Sequence, residues 1–231
     1  MQIDGVEIKE QEKLMAARKA VAYVKDGDIV GLGTGSTAKF AIEALGQKIK
    51  EGLQIKGVPS SLQTQVLAVE AGIPLLELGQ VKEIDISIDG ADEFTADLNL
   101  IKGGGGALFR EKIVASLSKN RIIIVDSSKK VDKLGAFKVP VEVIPTALSY
   151  VFQQLEKLHG IGQLRLKDDQ IFVTDNRNHI IDVDFGLIDE PEKLAVSLNQ
   201  IDGLLAHGLF INLTSKIMMV KNGELIIYTK E

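Results

Sequence analysis

The sequence predicts an α/β fold, in which a parallel sheet is covered by helices on both sides and a smaller α+β unit follows. Three observations favour this fold. Short aliphatic strands alternate with segments of helical length in the first part of the chain. Some of these strands are apolar on both faces, as in a sheet buried between helices. Near residue 137 the pattern changes to a β-α-β-β-α-β order with short links, which is typical of a split α+β unit of ferredoxin-like type.

The first part of the chain carries the alternating pattern. A helix is predicted over residues 8–25, because apolar residues recur there at helical spacing. These residues are Leu14, Ala17, Val21 and Val24. The segments that follow are, in order, strand GDIVGLG, helix AKFAIEALGQKI, strand LQIKGVPSS, helix LQTQVLAVEAG, strand IDISIDG, helix ALFREKIVASLS and strand RIIIVD.

The second part supplies the smaller unit and a final hairpin. Its predicted elements are strand KVPVEVIP, helix TALSYVFQQLEKLHG, strands GQLRLK and QIFVTDNRNHIIDVDF, helix PEKLAVSLNQI and a strand within LLAHGLFINL. Asn222-Gly223 lies between two alternating runs and predicts a tight hairpin that returns to the first sheet. We therefore expect a main domain formed by residues 1–136 and 208–231, with residues 137–207 forming the small α+β domain.

Composition narrows the class of protein. The chain has 231 residues, no cysteine and a formal net charge of −5. The missing cysteines exclude disulfides, thiol nucleophiles and cysteine metal sites, and the acidic balance predicts neither a nucleic-acid nor an acidic-membrane partner. No apolar run approaches bilayer length, and the N-terminal segment MQIDGVEIKEQEK is too polar for a signal or transit peptide. A cytoplasmic location is therefore expected.

A glycine-rich loop, GLGTGSTA, lies between the first strand of the sheet and the following helix. Such a position offers backbone N–H groups and the positive end of a helix dipole to an anion. Gly31, Gly33 and Gly35 would allow a close approach, and hydroxyl donors follow from Thr34, Ser36 and Thr37. A capped turn without a ligand explains the loop equally well. The loop lacks the lysine of a P-loop and the spacing of a dinucleotide motif, so a phosphate monoester suits it better than NAD.

Three carboxylates follow the strand that begins at Ile84. Asp89, Asp92 and Glu93 lie at its carboxyl end, where open α/β sheets bind their ligands. Three interpretations stay open: a divalent metal site, an acid/base or hydroxyl-binding site, and an Asp-rich turn with caps. The metal site is the least favoured, because no histidine is near and the spacing matches no calcium loop.

Four consecutive glycines in IKGGGGALFREK precede a predicted helix. On a helical wheel of 100° per residue, Glu111 shares its side with small and apolar residues, whereas Phe109 and Ile113 lie opposite. Those neighbours are Ala107, Leu108, Val114 and Ala115. A carboxylate in such surroundings is expected to be desolvated, with a raised pKa suited to accepting a proton. The glycines then form a second backbone cradle to which Lys102 brings a cation, although a lone lysine or glutamate is more often a surface residue.

Together, GLGTGSTA, SIDGADE and IKGGGGALFREK resemble the signature segments of the type A ribose-5-phosphate isomerase family, and VDSSKKVDKLG and KVPVEVIP are similar to its next segments. The resemblance covers essentially the whole chain. It implies a Rossmann-like α/β domain with a smaller α+β domain, assembled as a homodimer or homotetramer. It also implies interconversion of D-ribose 5-phosphate and D-ribulose 5-phosphate in the non-oxidative pentose phosphate pathway, without a cofactor. Because the residues around Asp89, Asp92 and Glu93 form no credible ligand set, we also expect no metal.

The resemblance also implies site residues. Glu111 matches the catalytic base. The matched substrate-binding residues are Thr34, Gly35, Ser36 and Thr37 in the first loop, Asp89, Gly90, Ala91 and Asp92 in the second, Lys102, Gly103, Gly104 and Gly105 in the third, and Lys129 and Lys13 outside them. The sequence departs from the family pattern at Gly106, often alanine, and at Phe109, often threonine.

The implied chemistry agrees with the residues. Moving a proton from C2 to C1 through a cis-enediolate needs a carboxylate base, a group that handles the protons of O1 and O2, and a cation for the oxyanion. Glu111, Asp89 and Lys102 can fill these roles, with Asp92 holding hydroxyls or assisting ring opening. The alternatives are another sugar-phosphate isomerase or deaminase of related fold, or a non-catalytic sugar-phosphate sensor. For the sensor we expect an attached DNA-binding segment, for which the residues before residue 8 leave no room.

Overall fold

The structure, a computed structural model, describes residues 5–230; residues 1–4 and 231 of the predicted main domain lie outside the described residues. Within that range the helices are α1 (Gly5–Val21), α2 (Ser36–Lys50), α3 (Leu62–Glu70), α4 (Leu108–Leu117), α5 (Leu148–Lys157) and α6 (Pro191–Leu198). The strands are β1 (Ile29–Leu32), β2 (Lys56–Pro59), β3 (Ile84–Asp89), β4 (Glu93–Phe94), β5 (Leu100–Ile101), β6 (Ser118–Asp126), β7 (Val139–Val143), β8 (Ile161–Leu164), β9 (Leu166–Lys167), β10 (Gln170–Ile171), β11 (His179–Asp184), β12 (Leu204–His207), β13 (Leu209–Phe210), β14 (Lys216–Lys221) and β15 (Glu224–Thr229).

The main sheet has six strands in the order β15-β14-β6-β3-β1-β2. Neighbouring strands are parallel from β14 to β2, and only β15 is antiparallel to its neighbour. One face packs on α1 and α2, where Ala17 and Leu45 meet Ile88 and Ile124. The other face packs partly on α4 through Val114. The predicted α/β fold is confirmed, and the final hairpin does return to the first sheet.

A second, antiparallel sheet has the order β12-β7-β11-β8, with α5 and α6 packed on it through buried aliphatic residues. The chain passes through these elements in the predicted β-α-β-β-α-β order. The predicted strand over QIFVTDNRNHIIDVDF is wrong in one respect, because a turn separates β10 from β11. Buried Glu142 stabilises this turn by accepting hydrogen bonds from Thr174 and Asn178 at 2.9 Å each. The predicted strand GQLRLK is likewise interrupted at Arg165.

A small three-stranded sheet, β13-β5-β4, connects the two larger ones and was not predicted. It exists because the segment LLAHGLFINL, within which a single strand is predicted, forms two strands that change partners at Gly208. The Gly208 N–H donates to the Pro140 carbonyl at 2.7 Å, while its own carbonyl accepts the Lys102 N–H at 2.9 Å. The backbone of Lys102 is therefore anchored between the two sheets. Among residues 5–230, no helix has both the length and the hydrophobicity needed to cross a bilayer.

Candidate active site

A cleft of about 280 Å³ lies where β1, β3 and β6 end at their carboxyl termini. It is lined by residues of all three loops predicted from the sequence, GLGTGSTA, SIDGADE and IKGGGGALFREK. The predicted residues that line the cleft are Lys13, Thr34, Gly35, Ser36, Thr37, Gly90, Ala91, Asp92, Lys102, Gly103, Gly104, Gly105, Glu111 and Lys129. Asp89 lies directly behind this lining, in contact with Lys102. The cleft lies at the carboxyl edge of the parallel sheet, which is the usual position of a ligand site in α/β proteins.

The first glycine loop passes very close to the end of β3. An ideal Cβ placed on Gly33 would lie 2.1 Å from Asp89 Oδ1, so only glycine allows this approach. The next residue's N–H, that of Thr34, donates to the same oxygen at 3.1 Å. Helix α2 then begins at Ser36 with its N-terminus at the cleft. The free N–H groups of its first turn and the helix dipole can therefore bind an anion there.

The hydroxyl of Thr34 differs from the prediction. The sequence predicts a hydroxyl donor for a ligand, but Thr34 Oγ1 lies 2.8 Å from Ser60 Oγ, 2.9 Å from Ser61 Oγ and 3.1 Å from Thr64 Oγ1. These partners belong to the end of β2 and the start of α3, and they form a buried hydroxyl cluster. The side chain of Thr34 thus fastens the loop to α3, and Ser36 and Thr37 remain as the hydroxyl-bearing residues of this loop at the cleft.

Cationic side chains lie at the end of the cleft next to the N-terminus of α2. Lys13 of α1 donates to Glu10 Oε1 at 2.7 Å and to Ser36 Oγ at 3.2 Å. Lys129 reaches the cleft from a 3₁₀ turn, Ser127–Lys129, that follows β6. Asp126 caps this turn by accepting the Ser128 N–H at 3.0 Å. Two lysines from distant parts of the chain thus meet at this end of the cleft.

The opposite end of the cleft holds a buried ion triad formed by Asp89, Lys102 and Glu111. Lys102 Nζ lies 3.0 Å from Asp89 Oδ2 and 3.5 Å from Glu111 Oε1. It also donates to the Gly90 carbonyl at 2.6 Å. Burial by itself lowers the pKa of Lys102, but the two carboxylates outweigh burial and raise this pKa above its usual value. Lys102 therefore stays protonated inside the protein.

Glu111 lies one turn into α4 and is only 4% exposed. Burial raises the pKa of its carboxyl group to about 8; the Lys102 ammonium opposes this shift, while the Asp89 and Asp92 carboxylates add to it. Its Oε2 atom has no hydrogen-bond partner among the residues that the structure describes. A buried carboxylate oxygen left unpaired beside a cleft is available to a ligand. The expected desolvation of Glu111 is confirmed.

Lys112, the next residue, fixes the helix that carries Glu111. Its Nζ donates to the His207 carbonyl at 2.7 Å and to the Leu209 carbonyl at 3.0 Å. These carbonyls belong to β12 and β13, so α4 is tied to the segment that also anchors Lys102. Burial lowers the pKa of Lys112 to about 7. Lys102 and Glu111 are thereby held in one framework through the segment 207–209.

The carboxylates after β3 point in different directions. Asp92 faces the cleft and accepts the Gly104 N–H on Oδ2 at 2.8 Å, which orders the third loop. Glu93 faces away from it, and accepts the N–H groups of Gly135 and Phe137 at 2.8 and 2.5 Å. The three carboxylates therefore do not act as one cluster. Asp89 and Asp92 belong to the cleft, whereas Glu93 stabilises a neighbouring loop.

Three further residues line the cleft that sequence reasoning did not select, namely Lys9, Asp126 and Ser128. A signal for each was present. Lys9 precedes Lys13 by four residues and so shares its face of α1. Asp126 ends a predicted strand of the parallel sheet, as Asp89 does, and Ser128 is next to Lys129.

Comparison with known proteins agrees with this geometry. Residues 56–224 match the family model described as Ribose 5-phosphate isomerase A (phosphoriboisomerase A). The chain belongs to this family. Among the family's curated members, ribose-5-phosphate isomerase A 1 of Oceanobacillus iheyensis is 46% identical over 223 residues, which cover 95% of this chain and 100% of the relative. The enzyme of Streptococcus gordonii is 47% identical over 211 residues, covering 91% of this chain and 94% of the relative.

Solved structures of the family have the same fold. A D-ribose-5-phosphate isomerase in complex with phospho-erythronic acid is 38% identical, with a TM-score of 0.93 and coverage of 96% of this chain and 99% of the other. The ribose 5-phosphate isomerase A of Methanocaldococcus jannaschii is 41% identical, with a TM-score of 0.91 and the same coverage. The alternatives left open by the sequence, a different sugar-phosphate enzyme and a sensor domain, are not favoured.

Proposed function

We propose that Glu111 is the catalytic base of this chain, an isomerase that interconverts D-ribose 5-phosphate and D-ribulose 5-phosphate. One observation carries the assignment: the buried Glu111 carboxylate has an unpaired Oε2 beside the cleft and lies 3.5 Å from a buried ammonium. A base needs a pKa close to the working pH, and burial raises that of Glu111 to about 8. A cation next to it can stabilise the negative charge that develops on the substrate.

The reaction then follows from the ion triad. In the open-chain aldose, ionised Glu111 removes the proton from C2, and a cis-enediolate forms whose negative charge is stabilised by Lys102. Glu111 returns the proton to C1, while Asp89 transfers a proton from O2 to O1, so that an aldehyde and a hydroxyl become a hydroxyl and a ketone. Asp92 lines the cleft and accepts the Gly104 N–H. It holds sugar hydroxyls or assists ring opening.

The other end of the cleft is suited to the phosphate. The N-terminus of α2 provides free N–H groups, and Ser36 and Thr37 add hydroxyls. Lys13 and Lys129 supply positive charge on either side of them. Because the phosphate is held in the same way before and during the reaction, these contacts contribute to affinity more than to turnover.

The domain division and the oligomer remain predictions that individual features support. Residues 137–207 contain all four strands of the second sheet, which favours the division into 1–136 with 208–231 and 137–207. A homodimer or homotetramer is supported by α3, where Leu62, Val66 and Val69 are 52%, 57% and 63% exposed. These residues recur at helical spacing and form an apolar stripe that a second copy could cover. Sedimentation equilibrium of the wild-type chain measures the oligomeric state.

The cytoplasmic location and the place in the non-oxidative pentose phosphate pathway also remain predictions. The cysteine-free composition and the acidic net charge support the first. The substrate of the reaction supports the second. Cell fractionation with an antibody to the chain tests the location directly.

Exchange of the substrate C2 proton with solvent deuterium tests the central assignment. Wild-type enzyme is expected to exchange this proton on bound ribose 5-phosphate, because the base shares its proton with water during the lifetime of the enediolate. Glu111→Gln keeps the shape of the side chain but cannot accept the proton, so exchange should fall with turnover while binding persists. Exchange at the wild-type rate in Glu111→Gln would show that another residue is the base.

A further inference from the structure

Arg165 connects the second sheet to the third glycine loop of the cleft. It lies between β8 and β9, and its Nη1 donates to the Gly103 carbonyl at 2.9 Å and to the Gly104 carbonyl at 3.1 Å. The same guanidinium is paired with Asp182 of β11, through Nε at 2.8 Å and through Nη2. A planar guanidinium with a bidentate partner on one side and two carbonyls on another has a fixed orientation.

The other side of the loop is held as well. Asp92 accepts the Gly104 N–H at 2.8 Å, and the Gly106 N–H closes a turn onto the Gly103 carbonyl at 3.0 Å. Phe172, whose ring lies 5.9 Å from the Arg165 guanidinium, also packs against the loop. An ideal Cβ on Gly106 would lie 2.4 Å from the Phe172 ring, which accounts for glycine where the family often has alanine.

These contacts determine where one N–H group points. In a trans peptide the carbonyl and the following N–H point in opposite directions. Because the Gly104 carbonyl points to Arg165, the Gly105 N–H points away from Arg165, and Gly105 lines the cleft. Within residues 5–230 this N–H donates to no protein acceptor.

We propose that Arg165, oriented by Asp182, is a positioning residue that holds the third glycine loop with the Gly105 N–H directed into the cleft, where it donates to an oxygen of the sugar part of the substrate. Arg165 touches no substrate atom itself. The inference rests on the proposed function, because it assigns this N–H to the pentose phosphate of the isomerase reaction. Through Arg165, the second sheet would help to position the substrate at the cleft of the first sheet.

Arg165→Lys is the direct test. Lysine retains the positive charge and can still pair with Asp182, but its single ammonium cannot also hold two carbonyls in the geometry of a guanidinium. Loss of one oriented hydrogen bond to the substrate should raise KM for ribose 5-phosphate on the order of fivefold to tenfold, with kcat changed much less. Arg177→Lys, the same change at an exposed position of the neighbouring turn, is the matched control and should leave both constants unchanged.

Two measurements separate positioning from general stability. A merely structural role would lower the melting temperature and the active fraction, which reduces apparent kcat and leaves KM unchanged. In ¹⁵N NMR spectra of the free protein, Arg165→Lys should shift the amide signals of Gly104 and Gly105, whose preceding carbonyls lose the Arg165 donor, and Arg177→Lys should not. If Arg165→Lys folds poorly, Asp182→Asn serves instead, since it keeps Arg165 but removes its orienting partner, and should raise KM in the same direction.

The outcomes distinguish this inference from the proposed function. If the wild type isomerises ribose 5-phosphate and Glu111→Gln abolishes turnover, the proposed function stands. A wild-type KM in both Arg165→Lys and Asp182→Asn would then overturn the positioning role alone. Both single variants should have a raised KM. If the KM of the double variant is no higher than that of the more impaired single variant, Arg165 and Asp182 act as one unit.

Discussion

The two ends of the cleft handle charge in different ways. At the phosphate end, Lys13 and Lys129 are partly solvated and act beside backbone N–H groups and hydroxyls of α2. At the other end, the side chains of Lys102 and Glu111 are each 4% exposed and that of Asp89 is 12% exposed. Charges in water are screened and nearly independent, whereas buried charges shift one another's pKa. One end is therefore suited to hold a fixed dianion and the other to move protons.

This difference predicts how substitutions separate. Changes at the phosphate end remove contacts that are equal in the ground state and the transition state, so they should raise KM. Changes at the ion triad remove interactions that matter only while charge develops, so they should lower kcat. The predictions below test that division, in order of decreasing effect.

Glu111→Gln is expected to have the largest effect. A general base contributes about 10²–10⁴-fold, and the loss should appear in kcat with little change in KM. Glu111→Asp should retain part of the activity, because the base remains but is one methylene shorter. Glu70→Gln, at an exposed position of α3, is the control and should behave as wild type. Steady-state kinetics with ribose 5-phosphate measure all three, and a wild-type kcat in Glu111→Gln would contradict the assignment.

Lys102→Ala should lower kcat by about a hundredfold or more, as expected for an oxyanion stabiliser. It should also change the pH dependence, because the ammonium opposes the upward shift of the Glu111 pKa. Without Lys102, the Glu111 pKa should rise further, and the activity limb should move to higher pH. A variant with wild-type kcat and an unmoved pH limb would remove Lys102 from the mechanism.

The pH profile of the wild type follows from the same carboxylate. Burial raises the Glu111 pKa to about 8, and only the ionised form can accept a proton. Activity should therefore fall as pH decreases, with kcat/KM about 50-fold lower at pH 6 than at pH 8 if this single ionisation controls the rate. The substrate phosphate titrates near pH 6 and would give a limb about two units lower. A limb centred near pH 4.5 would show that Glu111 is not desolvated in solution.

A feature of this site could be predicted from the sequence when the residues that cause it are close together along the chain. The desolvation of Glu111 could be predicted because its apolar neighbours lie on the same helix, within four residues. The direction of the Thr34 hydroxyl could not, since its partners Ser60, Ser61 and Thr64 lie 26 to 30 residues away. The contact of Arg165 with Gly103 and Gly104 spans 62 and 61 residues and depends on the packing of two sheets.

The predictability of the fold also depends on sequence separation. The parallel strands and the final hairpin could be predicted, because periodicity and the Asn222-Gly223 turn are local signals. The two-residue strands β4 and β5 could not, because β5 pairs with β4 on one side and on the other with β13, which follows more than a hundred residues later. Strands of this length have no periodicity of their own, so tertiary contacts decide them.

The phosphate end should respond more weakly than the ion triad. The double variant Ser36→Ala with Thr37→Ala removes two hydroxyls and leaves the N–H groups of α2 in place. The net contribution of each hydroxyl hydrogen bond is about 0.5–1.5 kcal/mol, so the two losses together should raise KM by roughly tenfold to a hundredfold while kcat stays close to wild type. Added salt should raise KM further, because the lysines there are screened. A collapse of kcat with unchanged KM would reverse the assignment of the two ends.

Removal of metal ions is expected to have the smallest effect. The carboxylates that follow β3 are engaged by nitrogen donors: Asp89 by Lys102 and by the N–H groups of Thr34 and Gly90, Asp92 by Gly104, and Glu93 by two N–H groups outside the cleft. A divalent ion would have to displace the Lys102 ammonium, which in the proposed mechanism supplies the positive charge at the reacting oxygens. Exhaustive chelation should therefore leave kcat and KM unchanged within error. Activity lost on chelation and restored by Mg²⁺ or Mn²⁺ would show that a metal, and not Lys102 alone, stabilises the enediolate.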